Sequence, residues 1–377
     1  MNCKLSEVCS YANEKVPTQS LTNRTYISTE NMLPNMGGIT SASSMPTLNA
    51  VTRIRQDDIL LSNIRPYFQK MILADFEGGC SNDVLVLRVD KNKVLPEYLY
   101  YSLAHKGFFD YVTKTGKGTK MPRGDKTAIM QYEINVPNIT AQKRIATILS
   151  SLDKKVKSNN RTNDNLEKQG SLLVDDYFSK CLDEVSLSSI LSFANGFAFS
   201  SKDYLESGKY KIVTIKNVQD GKIDPAGASC LNEIPERMNK DCELKVGDIL
   251  LSLTGNVGRV GAVCDGNLLL NQRVAKIIPN NSAILPLLYF IFRQDSMKNT
   301  LESISKGTAQ QNLSPVETLK LKIKFDIEKA GNYSAILEPI LNKIIENNIE
   351  NRRLTKLRDT LLPELLNGKI DVSNIDI

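Results

Sequence analysis

Apolar residues in this chain fall into short alternating runs broken by glycine, asparagine and proline, and into two long stripes of helical period. The runs YKIVTIKNV, GDILLSLTG, VGAVCDG and RVAKIIP predict β-strands bounded by turns. The first stripe is Leu149, Leu152, Val156, Asn159, Asn163, Leu166, Gly170 and Leu173, spaced 3-4-3-4-3-4-3. The second, Leu337, Ile340, Ile344, Asn347, Asn351, Leu354, Arg358 and Leu361, keeps the same rhythm 188 residues later. Such spacing places its members on one helix face and predicts a coiled-coil seam, interrupted by asparagine at the same two steps in each copy. Paired amides in an apolar seam fix register, because a slipped register leaves them unpaired. Gly170 weakens its helix by about 1 kcal/mol relative to alanine. Pro363 marks an end or kink of the second helix, and Gly368 a stop.

The stripes are one part of a longer repeat. Asp58-Ile59-Leu60-Leu61-Ser62 recurs as Asp248-Ile249-Leu250-Leu251-Ser252, and Leu95-Pro96 as Leu285-Pro286, both at an offset of 190. Lys117-Gly118-Thr119 recurs at 189 as Lys306-Gly307-Thr308, and each copy then has an alternating strand: Tyr132, Ile134, Val136 and Leu321, Ile323, Phe325. The chain therefore reads as one unit written twice. The expected fold is α/β (mixed α+β), a pseudo-two-fold repeat with similar globular domains at 1–140 and 181–328. Two long antiparallel helices at 141–180 and 329–377 join them. A helix of about 38 residues spans roughly 57 Å, so the domains are expected at opposite ends of the pair.

Composition narrows the choices without deciding among them. The 377 residues are 41% hydrophobic and 24% charged, enough to give each copy its own core. The longest apolar stretch, 284–292, is interrupted by Pro286 and too short for a bilayer. MNCKLSEV lacks the basic-then-apolar pattern of a secretory signal, so a cytoplasmic location is expected. Seven scattered cysteines without a C-x-x-C pair suit a reducing compartment, and the single histidine leaves no His-based triad. The net charge of +6 permits nucleic-acid binding without demanding it.

No phosphate-binding loop, dinucleotide fingerprint or nucleophile elbow occurs, so no catalytic, cofactor or metal residue is assigned. The fragment Glu243-Leu244-Lys245 has the E-x-K spacing of metal-dependent nucleases, with Asp241 and Asp248 nearby, but reads more simply as a turn entering a strand. The positive signals are polar loops at matching places. Lys114 to Lys126 holds five cations, one anion and three glycines, with Lys114, Lys117, Gly118, Thr119, Lys120 and Arg123 as candidate DNA contacts. Lys306, Gly307, Thr308, Gln310, Gln311 and Asn312 are their counterparts. Lysine and arginine neutralise phosphates, whereas Arg, Gln and Asn make bidentate contacts with base edges. Arg65 and Arg259, both just after the DILLS run, and Gln272-Arg273 at the head of the RVAKIIP run complete the candidates. The helix-pairing set is Leu149, Leu152, Val156, Asn159, Asn163, Leu166, Leu337, Ile340, Ile344, Asn347, Asn351 and Leu354.

At these residues the sequence resembles the specificity subunit of a type I restriction–modification system. The likeness rests on LSSILSFANGFAFSSKDYLESGKYKIVTIKNV, DILLS, NQRVAKIIP, KGTAQQNLSP and INVPNITAQKRIATILSSLDKKVKSNN, with Ala141 departing from the usual glutamate. The resemblance implies two target-recognition domains, each reading half of a bipartite site in double-stranded DNA; the helix length predicts half-sites about one helical turn apart, and the differing loops predict unlike half-sites. The resemblance also implies two partner modification subunits that carry S-adenosylmethionine and methylate adenine N6. A restriction subunit, where present, would use ATP and Mg²⁺, and this chain would hold no cofactor and perform no catalysis. Two other readings stay open: a coiled-coil protein-binding scaffold, which has no use for recurrent loop cations, and a specificity module of a combined methylase–nuclease.

Overall fold

The two DILLS runs are interior strands of matching sheets in the computed structural model, which describes residues 2–118, 120–307 and 311–373. In the first, strands Cys9–Tyr11, Val84–Val89, Ile59–Ser62 and Met71–Leu73 lie side by side, all antiparallel. In the second, Leu191–Asn195, Val274–Pro279, Ile249–Ser252 and Val260–Ala262 repeat that order, and Gly221–Lys222 adds a parallel edge. All four residues of each ILLS strand are buried, as a strand covered on both faces requires. The aspartate before each strand has a structural task. Asp58 accepts from the Arg55 N–H and pairs with Arg88 on the neighbouring strand at 2.8 Å; Asp248 accepts from the Lys245 N–H and pairs with Lys276 at 3.0 Å.

A second sheet in each copy has a shared three-stranded centre and a different edge. Ala50–Ile54, Gly78–Cys80 and Tyr26–Ile27 correspond to Glu243–Leu244, Leu268–Leu270 and Tyr210–Val213, in each case an antiparallel pair followed by a parallel one. The first copy extends past Ala50–Ile54 with Lys15–Pro17, while the second extends at the opposite edge with Cys230–Leu231. Helices Pro96–Leu103 and Leu285–Arg293, the aromatic-rich runs of the sequence, close each core.

The chain divides into two compact units, residues 1–154 with 354–377 and residues 155–353. Each long helix contributes to both: Ile139–Lys180 and Ile327–Leu366. Asn138 and Asp326 cap them at equivalent places, accepting from the N–H groups of Ala141 and of Glu328 and Lys329. The second helix stops at Leu366, short of the 377 expected from sequence. Pro363 is tolerated inside its last turn, and Gly368 at φ 68° takes the left-handed conformation that ends it.

Within the second unit the long helices meet along a seam whose centre is polar. Asn159 donates to Asn351 at 2.9 Å and Asn347 to Asn163 at 2.7 Å, while Asn163 reaches Asn348 at 3.2 Å and Asn351 reaches Asn160 at 2.9 Å. Leu337 and Ile344 are buried along this seam, and Val156, Leu166 and Ile340 half-buried. In the first unit Leu149 is buried and Leu152 and Leu354 half-buried; there Asp153 joins the two helices by pairing with Arg358 at 2.7 Å and accepts from the Tyr101 hydroxyl.

Gly170 has a packing reason. A Cβ built on it would lie 2.2 Å from the Phe290 ring, so glycine is what lets helix Leu285–Arg293 approach the long helix. Gly170→Ala is therefore expected to lower stability by about 1–3 kcal/mol through overpacking, opposite in sign to the roughly 1 kcal/mol gain from helix propensity. Urea unfolding of Gly170→Ala beside Gly170→Ala/Phe290→Ala checks it, since in the Phe290→Ala background the sign should reverse.

Candidate nucleic-acid interface

Each polar loop singled out by the sequence folds back on itself as a short hairpin. Lys117 and Arg123 exchange both backbone hydrogen bonds at 2.8 and 2.9 Å, and Lys306 and Asn312 do the same at 3.0 and 2.8 Å. Gly118 and Gly307 follow at φ 94° and 108°, a conformation that side chains bearing a Cβ rarely adopt, which accounts for Lys-Gly in both copies. Each hairpin rests on the chain just after the DILLS strand. The Arg65 N–H donates to Pro122 at 2.8 Å, and the Gly255 N–H donates to Gln311 at 3.2 Å. Gly255, not Arg259, is thus the counterpart of Arg65. Arg259 lies further along, its guanidinium on Gln219 at 3.4 Å, because its backbone closes the turn to Ser252.

The candidate side chains divide by their partners. Lys117 pairs with Asp125 at 2.8 Å, and Asp125 also caps helix Lys126–Met130 by accepting from Thr127 and Ala128. That Lys117 partner, with the two N–H groups, holds the Asp125 carboxyl below its ordinary 3.8. Arg123 pairs with Asp83 at 3.1 Å. Lys114, Lys120 and Arg65 are exposed with no ion-pair partner among the described residues, and Lys306, Gln311, Asn312 and Gln272 are exposed as well. Thr119, Thr308 and Gln310 lie outside the described residues.

Beside each hairpin lies a cleft that the sequence reading missed. The first has a volume of about 360 Å³ and the second about 460 Å³. One wall of each is a turn closed by a buried asparagine: Asn31 accepts from the Ser28 N–H at 2.7 Å, and Asn217 from the Thr214 N–H at 2.9 Å. The other wall is the segment entering the next strand, since Ser81 donates to Ile27 and Asn271 to Val213. Asp83 and Arg273 occupy one position on that segment, their carbonyls accepting from Asn63 and Leu253 at 2.8 and 3.1 Å. The first cleft presents Glu30 and Asp83; the second presents Lys216, Gln272 and Arg273 with Phe199 and Tyr204. The available signal was the recurrence of S/T-x-x-N in ISTEN and VTIKN, at an offset of 186 that differs from that of the other repeats.

Among the described residues no cluster of His, Cys, Asp or Glu has metal-binding geometry, and no helix is long and apolar enough to cross a membrane. Asp248, which the E-x-K reading would use as a ligand, is engaged with Lys276 and the Lys245 N–H.

Fold and site together define a duplicated recognition protein that carries one hairpin and one cleft per copy. A family model described as "Type I restriction modification DNA specificity domain" matches residues 1–168 and 181–356. The chain belongs to that family. It is similar to the type I restriction enzyme HindI specificity subunit of Haemophilus influenzae, 24% identical with 97% of this chain and 98% of that protein covered. The MjaVIII specificity subunit of Methanocaldococcus jannaschii is 28% identical over 79% of this chain and 76% of its own. The crystal structure of an S subunit from M. genitalium shares the fold with a TM-score of 0.59 at 18% identity, covering 99% of this chain and 96% of that one.

The Asp125 anchor gives a pH prediction. A depressed carboxyl favours the folded hairpin above its unfolded value near 3.8, and that contribution is lost as pH falls through the lower, folded midpoint. By carbon-detected NMR titration, Asp125 should titrate below 3.8, and Lys117→Ala should raise its midpoint part of the way back. An unmoved midpoint would show that the pair does not form in solution.

Proposed function

We propose that the chain reads a two-part, asymmetric sequence in double-stranded DNA and holds two modification subunits on that site. The observation that carries this reading is the hairpin that recurs on the same anchor with different side chains: Lys117, Lys120 and Arg123 in one copy, Lys306, Gln311 and Asn312 in the other. A shared frame with divergent tips suits two readers of unlike half-sites. The lysines supply phosphate contacts and the Arg, Gln and Asn side chains supply base contacts. The chain itself is not an enzyme in this reading. S-adenosylmethionine is bound by the modification subunits, which methylate adenine N6, and ATP and Mg²⁺ serve a restriction subunit where one joins the complex. The complex works in the cytoplasm.

Co-expression with the cognate modification subunits, followed by mapping of methylated adenines, tests this directly. The expected result is one motif of two unlike halves around an unread spacer; a continuous or palindromic motif would sink it. Substituting Gln311 and Asn312 should change one half and leave the other intact. Lys114→Ala/Lys120→Ala should weaken DNA binding and flatten its dependence on log salt by about 1.8, near 0.9 for each phosphate that is no longer neutralised. Gel shifts over a salt series read that slope.

A further inference from the structure

The position shared by Asp83 and Arg273 carries opposite charge in the two copies, and the hairpin position facing it changes as well. In the first unit Asp83 on the cleft wall pairs with Arg123 on the hairpin at 3.1 Å. In the second, Arg273 stands on the cleft wall and Asn312 takes the hairpin position of Arg123. Both hairpin residues bridge to the chain after DILLS, Arg123 to Ile64 and Asn312 to Thr254, so the correspondence is one of backbone geometry and not of sequence offset alone. Each unit thus has one arginine at this place, on the cleft wall in the second and on the hairpin paired with the cleft wall in the first.

The two arginines differ in what restrains them. Arg273 is exposed and has no carboxylate partner among the described residues. It stands beside Gln272, which is also exposed, with Lys216, Phe199 and Tyr204 around the same cleft. Arg123 and Asp83 remain 58% and 36% exposed in their side chains, so their pair adds little to stability. What the pair does is draw the Arg123 guanidinium towards the cleft wall through one N–O contact. The planar fork of a guanidinium is the group best matched to the O6 and N7 acceptors of guanine, which it contacts through two parallel hydrogen bonds.

Resting on the functional reading above, we propose that Arg273 and Arg123 are the specificity-determining residues of the two half-sites. Each contacts a guanine edge, Arg273 from its cleft wall and Arg123 from the hairpin, and Asp83 is a positioning residue that acts through Arg123. The second half-site is read from the cleft wall, with Gln272 beside the arginine. The first is read from the hairpin, and the acidic cleft behind it repels phosphate.

Methylated-adenine mapping of the co-expressed complex tests the assignment, with Arg273→Ala, Arg273→Lys, Arg123→Ala and Asp83→Asn compared against wild type. Arg273→Ala should relax discrimination about tenfold or more at one position of one half-site and leave the other half unchanged. Arg273→Lys keeps the charge and loses the fork, so it should relax the same position while affinity for unrelated DNA holds. Arg123→Ala should relax the opposite half-site. Asp83→Asn should relax that same half while binding unrelated DNA more tightly, because a carboxylate beside the phosphates is gone. A merely structural role would weaken both. A wild-type motif left unchanged by Arg273→Ala and Arg273→Lys, or changed in both halves, overturns this inference alone. A wild-type complex that marks no two-part motif overturns it together with the functional reading.

Discussion

Amide groups enclosed between two helices must find each other or lose free energy, about 1–3 kcal/mol for each one left unpartnered. In the second unit five buried asparagines meet this condition along the helix seam, and with the exposed Asn160 they are joined across it by four bonds. An apolar seam of leucine and isoleucine would tolerate sliding by a turn; this one does not, because a shift separates donors from acceptors. The elements that rest on the long helices inherit that fixed register. Helix Leu285–Arg293 packs against Gly170, and the Tyr177 hydroxyl donates to the carbonyl of Asp326 just before the second helix begins.

What the duplicated sequence preserves is the scaffolding of recognition. The DILLS aspartate, the Lys-Gly hairpin corner, the S/T-x-x-N turn and the helix caps recur at corresponding places. Each answers a backbone requirement: a turn to close, a positive φ to adopt, or an orphan N–H to satisfy. The differences sit at exposed side chains on that scaffold, where substitution leaves the fold undisturbed. The edges of the second sheets also differ, through Lys15–Pro17 in one unit and Cys230–Leu231 in the other.

The repeat, the α/β class, the long helices and their asparagine steps were legible in the sequence because they are periodic or duplicated at nearly one offset. The clefts were not. Asn31 and Asn217, with the strands Tyr26–Ile27 and Tyr210–Val213 before them, lie 186 apart, against 190 for the DILLS strands, because the segments between differ in length. Gln272-Arg273 stood out at the head of the RVAKIIP run, but its tie to the first copy did not: the counterpart of Arg273 is Asp83, and a reversal of charge breaks the likeness by which the copies align. Arg65 and Arg259 were drawn together by chain position, yet the register after Ser62 and Ser252 sets Gly255 opposite Arg65.

Gly170 is the weakest point in the long run of backbone hydrogen bonds from Ile139 to Lys180, and its cover is the ring of Phe290. Glycine in a helix interior has the most conformational freedom to recover when it is released. If helix Leu285–Arg293 lifts away, the backbone at Gly170 loses its shield and gains a reason to fray. The second recognition domain and the rod beneath it therefore open together, as one unit of local unfolding. At this point the rod borrows its rigidity from the domain it carries.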